Sequence, residues 1–138
     1  MSYGLSSELQ TAVFQALEND PALPSLVNGA IHDALPQGAL PETYISLGPE
    51  YVKEANACGS RGAWHDFVIS VVSTEPGFRK AKMAAGAVNN ALHEADLQLD
   101  RGNLISLTFL KARAARLSSG ARRIDLTFRA RVEEDEQG

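Results

Sequence analysis

Arg122-Arg123-Ile124-Asp125-Leu126-Thr127-Phe128-Arg129-Ala130-Arg131-Val132 is the stretch whose reading decides the fold. Ile124, Leu126, Phe128, Ala130 and Val132 alternate with Arg123, Asp125, Thr127, Arg129 and Arg131. Successive side chains of a strand point to opposite faces, so this period of two makes a strand with one apolar and one charged side. Ser118-Ser119-Gly120 supplies turn chemistry just upstream, and Leu104–Leu117 reads as the partner strand. The C-terminal third is therefore a long β-hairpin.

Working outward from the hairpin, residues 64–73 predict another strand. Phe67, Ile69 and Val71 face one way, and Val68 and Val72 the other. Apolar residues on both sides predict a central strand covered on each face. Thr74, Glu75 and Pro76 then open a helix whose buried stripe is Phe78, Ala81, Ala85, Val88 and Leu92. At the other end of the chain, Leu5, Leu9, Val13, Ala16 and Leu17 predict a helix over 5–19. Ser7 and Gln10 there have capping-box spacing, and Asn19-Asp20-Pro21 stops the helix. Residues 20–29 suit a short helical turn or a loop, and Ile31 lies in a short strand. Pro36, Gly38 and Pro41 force a loop, and Tyr44-Ile45-Ser46-Leu47 is a strand ended by Gly48-Pro49. Residues 50–62 are less regular, and Ala57–Gly62 looks like a loop tip. The expected fold is α/β (α+β): one mixed, mostly antiparallel twisted sheet with two main helices and the hairpin. The 138 residues fit a single domain over 1–138, without repeats or a long linker, with 133–138 as an acidic tail.

Hairpin register decides which residues share a face, because a slip of one residue turns every side chain over. If Ala112 and Ala114 join Leu126 and Phe128 on the core side, Lys111 and Arg113 lie beside Arg123, Asp125, Thr127 and Arg129. The other register would bury Lys111 and Arg113, where unpaired charge is costly. The first register puts Ile105, Leu107 and Phe109 on the basic side. Either a bulge between Thr108 and Lys111 switches faces, or a helix or a partner subunit covers these three residues.

Charge is unevenly distributed. Residues 1–58 hold seven acids against Lys53 alone, a net of −6, and residues 59–110 balance. Residues 111–132 hold seven bases against Asp125, a net of +6, and Glu133-Glu134-Asp135-Glu136 adds −4. The total of −4 thus hides an acidic front half and a basic hairpin, an asymmetry that bears on association rather than on fold. Apolar residues make up 44% of the chain, which argues against disorder. Cys58 is the lone cysteine and closes no intrachain disulfide, so nothing points to an oxidising compartment. There is no signal-peptide pattern, and no apolar run is long enough to span a bilayer. A soluble protein made in the cytoplasm, without membrane contact, is expected.

Chemical motifs are missing. His32, His65 and His93 have no metal-ligand spacing with each other or with Cys58. His32-Asp33 and His65-Asp66 are adjacent, and neighbours on a strand point to opposite faces, so neither pair builds a triad. Gly59-Ser60-Arg61-Gly62 lacks the lysine and the strand-to-helix context of a phosphate loop. No catalytic residue, metal or cofactor is expected. The hairpin bases could meet DNA phosphates, but they are not interleaved with aromatics for stacking, so sequence-specific nucleic-acid binding is not expected.

The order and spacing of the elements carry a resemblance. Ser2-Tyr3-Gly4 leads into helix 5–19, followed by Tyr44-Ile45-Ser46-Leu47-Gly48, by His65-Asp66-Phe67-Val68-Ile69-Ser70-Val71-Val72-Ser73 and by the closing strand 122–132. Over nearly its whole length the chain resembles the tail-terminator, or tail-completion, family, in the version found in bacterial gene transfer agents, which are phage-like particles. The resemblance implies a homo-hexameric ring that caps the tail tube, stops tube polymerisation and joins head-tail connector proteins, with DNA passing through its lumen. Other head-tail joining or tail-tube roles in the same particle, or a small ligand-binding domain, remain as alternatives. Ring closure needs two different patches of one subunit to meet. The candidate interface residues are Glu50, Glu54, Lys111, Arg113, Arg123, Arg129 and Arg131, with the Arg129 and Arg131 side facing acids such as Glu50 or Glu54 of a neighbour. The competing placement has these arginines lining the lumen or meeting the connector. Residues 56–62 and 133–138 have few apolar anchors and are expected to be mobile in the free protein.

Overall fold

A computed structural model of the chain describes residues 3–33, 42–55 and 62–134. The expected loop around Pro36, Gly38 and Pro41, most of the loop tip at 57–62 with Cys58, and tail residues 135–138 lie outside the described residues. The elements are α1 (Ser6–Glu18), α2 (Leu23–Val27), β1 (Ile31–His32), β2 (Thr43–Glu54), β3 (Gly62–Ser73), α3 (Arg79–Leu92), β4 (Asn103–Arg116) and β5 (Arg122–Glu133). The five strands form one mixed sheet in the order β1-β2-β3-β5-β4. Only the β1–β2 pairing is parallel.

The helices contact one another and pack on one face of the sheet. α1 buries Leu9, Ala12, Val13 and Leu17, the stripe its sequence spacing demands. Its N-cap is Leu5, whose side chain is buried and makes no capping hydrogen bond, so the capping-box spacing of Ser7 and Gln10 is not used. The short helical turn becomes α2: Asp20 Oδ2 accepts the backbone N–H groups of Ala22 and Leu23, and Asn28 ends the helix in the left-handed conformation. α3 begins at Arg79 rather than at Pro76, because Gly77 at φ +77° turns the chain first. Ala81, Ala84, Ala85 and Ala87 let α3 lie close against β3 and β5.

On the sheet side the core is built from Ile45, Phe67, Ile69, Val71, Leu107, Ile124, Leu126, Phe128, Ala130 and Val132. Phe128 is fully buried, stacked on Phe67 and edge-on to Phe109, with ring centroids 5.8 Å apart in both pairs. Gly102, at φ +77°, passes so close to Leu5 that an added Cβ would stand 2.5 Å from Leu5 Cδ1.

Two expectations change, and a third, the hairpin register, holds. β2 does not end at Gly48-Pro49; it bulges between Leu47 and Glu50 and runs on to Glu54. Pro49 is tolerated because β1 pairs only with Ile45 and Ser46, so no described strand on the outer side needs the missing N–H. β3 is central, but among the described residues helices cover one of its faces only. The other face carries Trp64, Asp66, Val68, Ser70 and Val72, of which Ser70 and Val72 are nevertheless buried. Finally, the hairpin has the register that spares its bases from burial: Ala112 opposes Leu126 and Arg113 opposes Asp125. The face switch is a bulge between Phe109 and Lys111, which returns Leu107 and Phe109 to the core side, opposite Ala130 and Phe128. A second bulge between Leu104 and Ser106 leaves Ile105 exposed.

Candidate assembly surfaces

The helix-free face of the sheet is a charged surface. Strand alternation puts Tyr51 and Lys53 of β2, Trp64 and Asp66 of β3, and Arg123, Asp125, Thr127, Arg129 and Arg131 of β5 on it. Lys111 and Arg113 of β4 lie opposite Thr127 and Asp125. Five of the seven candidate interface residues (Lys111, Arg113, Arg123, Arg129 and Arg131) therefore share one face.

Three of these bases already have acids of their own chain. Arg129 holds Asp66 by two hydrogen bonds of 2.8 and 2.9 Å, and hydrogen bonding and charge together raise the guanidinium pKa further. Arg123 Nε donates to Asp125 Oδ1 at 2.9 Å, and Arg131 reaches Glu133 at 3.1 Å. Burial alone would push the Asp125 pKa up, but hydrogen bonds from Ser70 and Arg123 and the nearby charges of Arg123 and Arg113 outweigh it and hold Asp125 below the usual range. The indole of Trp64 is flanked by Arg129 and Arg131, whose guanidinium carbons lie 5.9 and 5.2 Å from its ring centre. Trp64 and Asp66 were legible as polar-side residues from their i, i+2 spacing. Their pairing with β5 was not, because it depends on the β3–β5 register.

Glu50 and Glu54 lie elsewhere, on the helix side of β2, opposite Phe67 and Ala63. Glu50 closes a small network. Its carboxylate accepts from Ser6 Oγ at 2.8 and 2.9 Å and sits 3.0 Å from Nδ1 of the fully buried His65. His65 Nε2 has no partner, so the arrangement fits an Nδ1–H tautomer donating to Glu50. Desolvation works to raise the Glu50 pKa, yet the hydrogen bonds from His65, Ser6 and Tyr3 hold it below the ordinary carboxylate value. The order Ser6–Glu50–His65 has the carboxylate in the middle, so the serine hydroxyl meets the carboxylate and not the imidazole, which is not the serine–histidine–acid order of a triad. Asp66 points away from His65, to Arg129.

The remaining histidines make local contacts. His93 Nδ1 accepts the backbone N–H of Phe109, and the His32 ring lies against Tyr44. No three His, Cys, Asp or Glu side chains among the described residues converge on a metal position. The recess between α1 and the β2 bulge has a volume of about 40 Å³ and is lined by Leu9, Val13, Leu47, Phe67 and Ile69 among others. That is room for a water molecule, whereas wider recesses of about 330, 300 and 440 Å³ lie between α3 and β4, beside Ile105, and beside Trp64 and Arg129. No helix among the described residues is long and apolar enough to cross a membrane.

A family model described as "Tail completion protein gp17" matches residues 11–133. Among solved structures, the chain is similar to a chain of the virion of a native gene transfer agent particle. The two share 53% identity at a TM-score of 0.90, over 96% of this chain and 99% of that one. No curated protein matches. The chain belongs to the tail completion protein gp17 family and is a structural protein of a phage-type tail.

Proposed function

We propose that the chain is a tail-terminator subunit. Copies close into a hexameric ring that caps the tail tube, stops tube polymerisation and offers a surface to head-tail connector proteins. DNA passes through the lumen without sequence-specific contact. The role is structural, with no catalytic step. The observation that supports this reading best is the division of the sheet. Glu50 and Glu54 stand near one margin, and Lys111 and Arg113 stand exposed on the strand at the opposite margin. A head-to-tail ring contact requires two different patches of one subunit, and these two margins differ in charge. Arg123, Arg129 and Arg131 complete the basic surface, but their own-chain acids leave Lys111 and Arg113 as the stronger contributors to steering and register.

Electron microscopy of tail tubes growing with and without the purified chain tests the proposal. The expected result is growth arrest, with one six-fold ring seated on one tube end. Tubes that continue to lengthen, or stacking of the chain into tubes of its own, would overturn it. A variant carrying Arg129→Glu and Arg131→Glu separates the two placements of these arginines. Loss of the ring puts them at the subunit contact, and intact rings that fail to join heads put them at the connector or lumen.

A further inference from the structure

β4 spans fourteen residues at the margin of the sheet, and Leu107 is its single buried residue. In the distal half, Lys111, Ala112, Arg113, Ala114 and Arg116 are exposed, although they alternate between the two faces. Strand edges left bare are normally blunted, since their open N–H and C=O groups invite pairing. The bulges at Ile105 and Leu110 blunt the proximal half, but from Lys111 to Arg116 the pairing with β5 is regular. At the opposite margin, β1 shields only Ile45 and Ser46 of β2. Beyond Pro49, no described strand lies outside Glu50–Glu54, and Tyr51 is 76% exposed.

We propose that Lys111–Arg116 of one copy pairs, as an added strand, with Glu50–Glu54 of a second copy, so that neighbouring sheets join edge to edge. This rests on the ring reading and names its contact. The lengths are within one residue of each other, at six and five. The strand directions also agree. β2 and β5 run one way and β3 and β4 the other. Rotation about an axis along the strands preserves those directions, so β4 meets the incoming β2 antiparallel. Charge selects the partner. Lys111–Arg116 carries three bases and no acid, so pairing β4 with another β4 would set like charges face to face. Glu50–Glu54 carries two acids against Lys53. With the two segments fully overlapped, Arg116 stands opposite Glu50 on the helix side, and Tyr51 opposite Ala115 and Lys53 opposite Arg113 on the other side. Because the two edges sit at opposite ends of one sheet, the contact is heterologous and propagates around a closed ring.

Hydrogen exchange on the full chain, free and seated on tail tubes, reads the contact directly. The amides of 111–116 and 50–54 should slow by at least about tenfold on assembly. In native mass spectrometry, Arg116→Glu should weaken oligomers about tenfold, and Lys53→Glu, which replaces the like charge opposite Arg113, should strengthen them. Circular dichroism melts of both variants show whether the fold is kept. Rings that form while both segments exchange as fast as in the free chain would overturn the edge contact and leave the terminator reading standing. A wild-type chain that forms no ring on tubes removes both.

Discussion

Glu50→Ala should cost more than its partial exposure suggests, because it strands a buried histidine. The side chain of Glu50 is 23% exposed, whereas that of His65 is 0% exposed. The wild-type pair is joined at 3.0 Å through Nδ1, and Nε2 is already without a partner. Truncating Glu50 leaves the imidazole with two unsatisfied nitrogens in the core. An orphaned buried polar group costs about 1–3 kcal/mol. Losing the Ser6 hydrogen bond, at a site open to water, adds about 0.5 kcal/mol. The expected total is about 2–3 kcal/mol. His65→Leu removes the polar ring and leaves Glu50 its serine and water, so it should cost less, about 1 kcal/mol. In the double variant Glu50→Ala with His65→Leu nothing buried is left unpaired, and the two costs should fall short of additive by about 1–2 kcal/mol. Urea unfolding with an unchanged slope measures all three. Additivity within about 0.5 kcal/mol would show that the Glu50–His65 contact contributes nothing, and the reasoning would fall.

Phe128→Ala removes the ring that joins Phe67 to Phe109, and unfolding should show a loss of about 3–5 kcal/mol, against a smaller loss for the half-buried Phe109→Ala. Gly102→Ala adds a Cβ at φ +77° and presses it on Leu5 Cδ1 and the Glu133 carbonyl, so its melting temperature should fall by the equivalent of about 1 kcal/mol or more. Glu50 and Asp125 both titrate lower in the folded chain than their ordinary values of 4.5 and 3.8. Their contribution is therefore complete above those values and lost as pH falls through the folded ones, so urea midpoints should drop on acidification below about pH 4.5. Glu50→Gln should flatten that acid limb, and an unchanged limb would remove Glu50 as its source.

Much of this architecture is readable from local pattern. The period-two run at 122–132 specifies β5 and its two faces, because backbone pleating alone sends neighbours to opposite sides. The stripes of α1 and α3 follow from helical spacing in the same way. The cost of burying Lys111 and Arg113 selects the hairpin register without any structure. Other features depend on residues far apart in the chain. Gly48-Pro49 looks like a strand end, yet β2 continues, since whether a proline is tolerated depends on whether a strand lies beside it. Val68 and Val72 look like a second core face, yet the described helices all lie on the other side. The candidate interface residues were legible as a charge pattern, but their partners were not: Arg129 meets Asp66 from 63 positions away, and Glu50 turns inward to His65 and Ser6. The opening strand shows the division most clearly. Its alternation established that Arg123, Arg129 and Arg131 share a face with one another. That Asp66 of β3 neutralises Arg129, and where β4 bulges so that Phe109 reaches Phe128, was settled by cross-strand register, which local spacing does not encode.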